Sequence, residues 1–278
     1  MSRGKRNIFK KGRECIMSRR TSGGCFFPPS ISGGWGPMKN RFEIMEGKGL
    51  WAERAVIYLS YIWVDWLFRW AGGVRFIGLD NIPPDGKVIL LPNHISALDV
   101  FLLPFSILSK HPHAVVRQAA KEELLRLPVV GWYLKKLRAF PIKRGRADRS
   151  AIRAIEDFAR KDMVVLYPEG TRSRDGKLGR GNRMVGKIIR TVRPVVIPVA
   201  IKGTDRIIQV GKYFPRRGAG VEVIFGAPLE LSREYEIENI KESSTRIVDR
   251  VMQAISSLLE GDRAETPHPA GALEEAGK

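Results

Sequence analysis

One histidine and one aspartate, five residues apart, stand where both can do chemistry: Leu91-Pro92-Asn93-His94-Ile95-Ser96-Ala97-Leu98-Asp99. The segment follows the apolar run Val88–Leu91 and precedes an apolar stretch that reads as a helix. If the run is a strand, His94 sits at its carboxyl end, the edge where α/β sheets carry their sites. Asp99, at the start of the following helix, can fold back toward the imidazole. A carboxylate that holds one ring nitrogen fixes the tautomer and leaves the other nitrogen free to accept a proton. A plainer reading fits the same residues. Ser96-x-x-Asp99 before an apolar helix is a capping box, in which Asp99 serves the helix terminus and His94 is a polar loop residue. The segment alone leaves both readings open.

A second segment, Val164-Val165-Leu166-Tyr167-Pro168-Glu169-Gly170-Thr171-Arg172-Ser173, again reads as strand then turn. Gly170 lets backbone approach a ligand closely. Arg172 can bind a phosphate through two parallel bonds, Thr171 can add a third, and Glu169 can accept from a substrate hydroxyl. An ordinary polar turn has the same composition. A third segment, Arg138-Ala139-Phe140-Pro141-Ile142-Lys143-Arg144-Gly145, sets Lys143 and Arg144 just past another strand, as phosphate ligands or as plain surface charge. The fourth, Arg193-Pro194-Val195-Val196-Ile197-Pro198-Val199-Ala200, frames an apolar run with prolines, which suits an irregular or edge strand beside a channel, or simple core packing.

Together the four segments resemble the glycerolipid acyltransferase family, most closely the 1-acyl-sn-glycerol-3-phosphate acyltransferases. The family's Asn-His-x-Ser-x-x-Asp motif is matched by Asn93, His94, Ser96 and Asp99; its Phe-Pro-Glu-Gly-Thr-Arg-Ser motif by Tyr167 through Ser173, with Tyr in place of Phe. Phe140–Arg144 matches the run ending in Arg, and Pro194–Pro198 the Pro-flanked strand. Ala120-Lys121-Glu122-Glu123-Leu124, with Pro128 and Gly131, is similar to the family's segment between the first two motifs. The resemblance covers about residues 74–228.

It implies acyl transfer from a thioester, on coenzyme A or acyl carrier protein, to the free hydroxyl of lysophosphatidate. His94 is then the general base and Asp99 its orienting partner. Asn93, Ser96, Lys121, Arg144, Glu169, Gly170, Thr171 and Arg172 become the substrate-binding set. Lys121 or a backbone N–H would face the oxyanion, and Arg144, Arg172 and Lys121 the acceptor phosphate. Neither metal nor cofactor is implied, and the family pattern argues against Ser96 as a nucleophile. Glycerol 3-phosphate or another lysophospholipid is the alternative acceptor. A non-enzymatic basic module that binds membrane or nucleic acid is the alternative of a different class, and it leaves the motifs unexplained. The resemblance also implies a sheet flanked by helices and an N-terminal helical pair resting on the membrane.

Positioning these residues requires strands that all end on one edge. Short β-rich runs occur at Val74–Ile77, Val88–Leu91, Ala114–Arg117, Phe140–Ile142, Val164–Tyr167, Val195–Ala200 and Val221–Phe225. Helical stretches at Leu98–Leu108, Ala147–Arg160 and Met184–Thr191 lie between them, and a last helix spans about Ile237–Leu259. Strands alternating with helices predict an α/β domain over 74–261 with a mixed, largely parallel sheet. The glycine-rich run Gly179–Gly186 lacks dinucleotide-fingerprint spacing and reads as a flexible segment near the acceptor.

Composition sets the remaining bounds. The net charge of +19 calls for a polyanionic partner such as an anionic membrane surface, phosphorylated substrate or nucleic acid. The two cysteines, Cys15 and Cys25, supply neither a disulfide framework nor a thiolate metal site. Residues 1–48 are basic and rich in Gly and Pro, with no apolar core of a secretory signal, and read as a disordered extension or a transit peptide. Residues 262–278 read as a disordered tail. Between 49 and 73 lies the apolar, Trp-rich stretch Ala55–Phe68, too short to span a bilayer, with Trp63, Trp66 and Trp70 at helical spacing and Arg54 and Arg69 at its ends. It reads as an interfacial, membrane-facing helix, or as a helix packed on the protein's own core. The expected location is membrane-associated, on the cytoplasmic face of the inner or plasma membrane if the source is bacterial.

Overall fold

The alternation of β-branched runs and helical segments folds into a seven-stranded sheet with helices against both faces. The computed structural model describes residues 51–142, 149–173, 175–208, 215–218 and 220–261. The expectations for 1–48 and 262–278, and those for Lys143 and Arg144, lie outside the described residues. In chain order the elements are α1 (Trp51–Ala71), β1 (Val74–Ile77), β2 (Val88–Pro92), α2 (Asp99–Lys110) and β3 (Val116–Lys121). A helical hairpin, α3 (Glu122–Arg126) and α4 (Pro128–Lys136), leads to β4 (Phe140–Ile142), α5 (Arg149–Ala159) and β5 (Met163–Val165). Then come α6 (Arg183–Val192), β6 (Val195–Lys202), α7 (Thr204–Ile207), β7 (Val221–Phe225), α8 (Ser232–Glu236) and α9 (Ile240–Glu260).

The strand order is β1-β7-β6-β2-β5-β3-β4. From β6 to β4 every pairing is parallel, with Leu90 level with Ile197 on one side and Val165 on the other. β7 pairs antiparallel with β6 and parallel with β1, so β1 and β7 run against the rest. The sheet is therefore mixed and largely parallel. Its alternation makes two cores. Val88 and Leu90 pack with Met163, Val165 and Ile197 under α1 and α2. Ile89 and Leu91 pack with Val164, Leu166 and Val196 under α5, α6 and α9. Central strands buried on both faces explain why Val88–Leu91 is a continuous apolar run.

Several elements differ from the sequence expectation, β3 and the α3–α4 hairpin among them. β3 lies at Val116–Lys121 instead of Ala114–Arg117. Its second half is half-buried and partly polar, so its pairing with Phe140–Ile142, not its hydrophobicity, makes it a strand. The α3–α4 hairpin went unassigned because each helix is too short to show a period. Gly131 allows its tight corner, since a Cβ there would lie 2.1 Å from the Leu125 carbonyl oxygen. α1 runs for 21 residues, longer than its apolar centre, yet no described helix is long and apolar enough to cross a membrane.

The α6–α9 crossing depends on a glycine. A Cβ on Gly186 would lie 1.9 Å from the Ser244 carbonyl oxygen, a backbone atom that cannot swing aside. Gly186→Ala should therefore cost about 1–3 kcal/mol, the usual penalty of overpacking. Urea unfolding is the measurement, and an unchanged midpoint would mean the two helices part easily.

Candidate active site

Because β6, β2, β5, β3 and β4 run the same way, their carboxyl ends meet on one edge of the sheet. The His94 loop leaves β2, the Glu169–Arg172 turn leaves β5, and Lys121 ends β3. Strand direction alone thus brings together segments that are up to 78 residues apart in sequence, His94 and Arg172 being the farthest.

At the centre His94 Nδ1 lies 2.9 Å from Asp99 Oδ2. The same oxygen accepts from the Ile95 and Ser96 backbone N–H groups, each at 2.8 Å. Asp99 Oδ1 accepts from the Thr204 hydroxyl at 2.6 Å. An oxygen already ringed by two N–H donors meets a third donor, so Nδ1 carries the proton and Nε2 is left as the basic nitrogen. Only half of the capping box forms, because the Asp99 N–H bonds the Ser96 backbone carbonyl instead of its hydroxyl and Leu98, which precedes α2, makes no side-chain cap. Asp99 reaches back to the Ser96 N–H, and Ser96 Oγ accepts from the Leu98 N–H at 3.3 Å. One carboxylate oxygen holds both the imidazole and the loop that leads into α2.

The His94 main chain is held at both polar groups. Its N–H donates to Glu169 Oε1 at 3.2 Å, and its carbonyl accepts from the Ser173 N–H at 2.8 Å. Tyr167 stacks on the imidazole with ring centroids 4.0 Å apart and an angle of 29°. Burial, and then the Asp99 charge, push the Tyr167 phenol well above its usual range, so the ring stays neutral.

His94 opens on a cavity of about 860 Å³. Lys121, Gly170 and Arg172 share its wall with Gln118 and Asn182, and the remaining lining is mostly apolar, including Leu124, Leu134, Ile152, Ile155 and Ile188. Gly170, at φ +70°, adopts the left-handed turn that bends the loop after β5 over this cavity.

A family model described as acyltransferase matches residues 73–202. The chain carries an acyltransferase-family domain. It is 28% identical over 189 residues to the 1-acyl-sn-glycerol-3-phosphate acyltransferase of Bacillus subtilis, covering 67% of this chain and 88% of that protein. It is 29% identical over 165 residues to a chloroplast 1-acyl-sn-glycerol-3-phosphate acyltransferase of Arabidopsis thaliana. That match covers 58% of this chain and 44% of the plant protein, so the chain spans under half of this longer relative. Among solved structures, the 1-acyl-sn-glycerophosphate acyltransferase of Thermotoga maritima is similar with a TM-score of 0.56 and 26% identity, covering 75% of this chain and 80% of that one.

The acyltransferase domain does not use every motif residue as expected. Asn93, expected at the substrate, is buried. Its amide donates to the Ile201 carbonyl at 3.0 Å and accepts from the Ile201 N–H at 2.7 Å, which fixes the end of β2 to β6. Ser96, also expected there, is buried and turned to the backbone of its own loop. Glu169 binds the His94 N–H with one oxygen and the Gly179 N–H with the other, at 2.8 Å, so it ties two loops together. The Gly179–Gly186 run is therefore anchored at Glu169 and continues into α6. Thr171 is exposed and absent from the cavity wall.

Thr204 was missed. It follows β6 at Gly203, whose φ of +86° turns the chain back over the sheet edge. A glycine–threonine pair after a strand is the only sequence signal, and it is weak. Thr204→Val should remove one donor from the buried Asp99 carboxylate and cost about 1.5–3 kcal/mol, the range for hydrogen bonds to charged groups. Denaturant unfolding reads this, and a cost below half of it would mean the carboxylate finds another donor.

Proposed function

We propose that this chain is a 1-acylglycerol-3-phosphate O-acyltransferase that makes phosphatidic acid from lysophosphatidate and an acyl thioester of coenzyme A or acyl carrier protein. The observation that carries the reading is the His94–Asp99 pair opening on a cavity with Lys121 and Arg172 on an otherwise mostly apolar wall. The activity named for the relatives supports it.

The acceptor hydroxyl gives its proton to His94 Nε2 as its oxygen attacks the thioester carbonyl. Asp99 stabilises the imidazolium that forms and keeps the ring from rotating. Collapse of the tetrahedral intermediate breaks the C–S bond, and the imidazolium returns the proton to the leaving thiolate. The products are an ester and a free thiol, with no acyl-enzyme. Arg172, with Lys121 and Arg144, holds the acceptor phosphate. Lys121 or a backbone N–H faces the oxyanion, and the apolar wall accommodates acyl chain.

A lipid acceptor requires a bilayer surface. The exposed aromatic residues Trp63 and Trp66 of α1 and the positive charge support a place on the membrane, with anionic lipid as the partner surface. In a bacterium this is the cytoplasmic face of the inner or plasma membrane, where the thioesters are made.

The direct test is thiol release from acyl-CoA by purified protein, with lysophosphatidate present or absent. Release that depends on lysophosphatidate supports the reading; no release, with either acyl-CoA or acyl carrier protein thioester, removes it. His94→Ala should lower the rate constant by about 10²–10⁴-fold, the contribution of a general base, while the protein stays folded. Asp99→Asn should lower kcat more than it raises the acceptor KM, because the charge behind the imidazolium is lost; an unchanged kcat would leave Asp99 a capping residue alone.

Arg172→Ala should raise the lysophosphatidate KM by about 10- to 100-fold, equivalent to a charge-assisted bond of about 1.5–3 kcal/mol. Monoacylglycerol, which has no phosphate, is the comparison. Equal loss with both acceptors would mean that Arg172 does not read the phosphate.

A further inference from the structure

Large apolar side chains concentrated on one surface mark a contact. Twelve such side chains are exposed among the described residues, and ten of them belong to α1 and the α3–α4 hairpin. The hairpin's share is Leu124, Leu127, Val129, Val130 and Trp132, with Val129 78% exposed and Trp132 54%. Loose packing does not account for this display. The hairpin corner is closed by Gly131 against Leu125, and the Tyr133 hydroxyl lies 2.8 Å from Ser60 Oγ on α1. Arg138, just past α4, pairs with Glu53 of α1 at 2.9 Å. The hairpin is therefore fixed to α1 with its apolar side chains directed outward.

Two further observations say what covers it. The exposed apolar surface runs into the His94 cavity at two points. Leu124 belongs to both the surface and the cavity wall. Exposed Trp63 of α1 meets the wall residue Phe101 edge-on, with centroids 6.1 Å apart. The cations Lys121 and Lys135 are exposed around the same hairpin, as is Arg126, which pairs with Glu122. Exposed apolar side chains and cations on one hairpin match the two chemistries of an anionic leaflet, its acyl region and its phosphates.

We propose that the α3–α4 hairpin inserts into one leaflet of an anionic membrane, so that the acceptor lipid passes from the leaflet into the cavity past Leu124. The lipid's identity rests on the acyltransferase reading above; the docking surface does not.

The test uses the full chain with mixed phosphatidylcholine and phosphatidylglycerol vesicles, sedimented in high salt to suppress simple charge attraction. Val129→Glu and Trp132→Ala should each weaken vesicle partitioning by about tenfold or more, the scale set by burying one large apolar side chain. Ile240→Glu, at an exposed apolar residue on α9, should leave partitioning unchanged. Turnover should fall with long-chain lysophosphatidate carried in vesicles and hold with a short-chain lysophosphatidate dissolved as monomer. If Val129→Glu lowers the melting temperature, the milder Val129→Ser takes its place. Three results overturn the proposal: wild-type vesicle partitioning by both hairpin variants, a change in oligomeric state instead of partitioning, or a loss confined to acyl carrier protein as donor. If the wild type acylates no acceptor, the enzymatic reading fails, and sedimentation still judges the hairpin.

Discussion

The Asp99 carboxylate has no exposed surface, and a carboxylate in that position is tolerable only when donors surround it. Four do: the imidazole N–H of His94, the backbone N–H groups of Ile95 and Ser96, and the Thr204 hydroxyl. Each comes from a piece of chain that must be in place for the others to be useful. The two backbone donors require the 93–98 loop to wrap the first turn of α2. Thr204 requires β6 to end level with β2, which the Asn93–Ile201 pair enforces. Satisfying one buried charge thus fixes the loop, the register of two strands and the face that His94 presents.

The second constraint is direction. Five adjacent strands run parallel, so the loops after β2, β3, β5 and β6 all emerge on one edge of the sheet. The Glu169 carboxylate then bridges the loop after β2 and the loop before α6 by taking one backbone N–H from each. This separates labour along a single motif. Glu169 shapes the loops, Gly170 bends, and Arg172 reaches the cavity wall while Thr171 faces outward. The antiparallel turn of β7 and β1 does not disturb the arrangement, because it lies at the sheet edge away from β5 and β3.

Much of the fold was legible because central strands buried on both faces must be continuously apolar, and Val88–Leu91, Val164–Leu166 and Val195–Ala200 all are. What escaped was held by tertiary pairing. Ala119-Ala120-Lys121 has no β pattern of its own and becomes strand through Phe140–Ile142. The α3 and α4 helices, of 5 and 9 residues, are stabilised by a glycine corner and by α1 more than by their own periodicity.

By itself the sequence determined the residue types of the site and the order in which strands would carry them: His94 and Asp99 after one apolar run, Glu169 through Arg172 after another. It left open whether Asp99 caps a helix or holds an imidazole. Only the tertiary structure decided that Oδ2 holds the imidazole together with the Ile95 and Ser96 N–H groups, while Oδ1 takes the hydroxyl of a threonine 105 residues away. It likewise decided that Asn93 and Glu169 serve the backbone. Local sequence specifies which donors and acceptors exist. Which of them meet is fixed by strand order and direction, and a buried polar group takes whatever partner that order brings within reach.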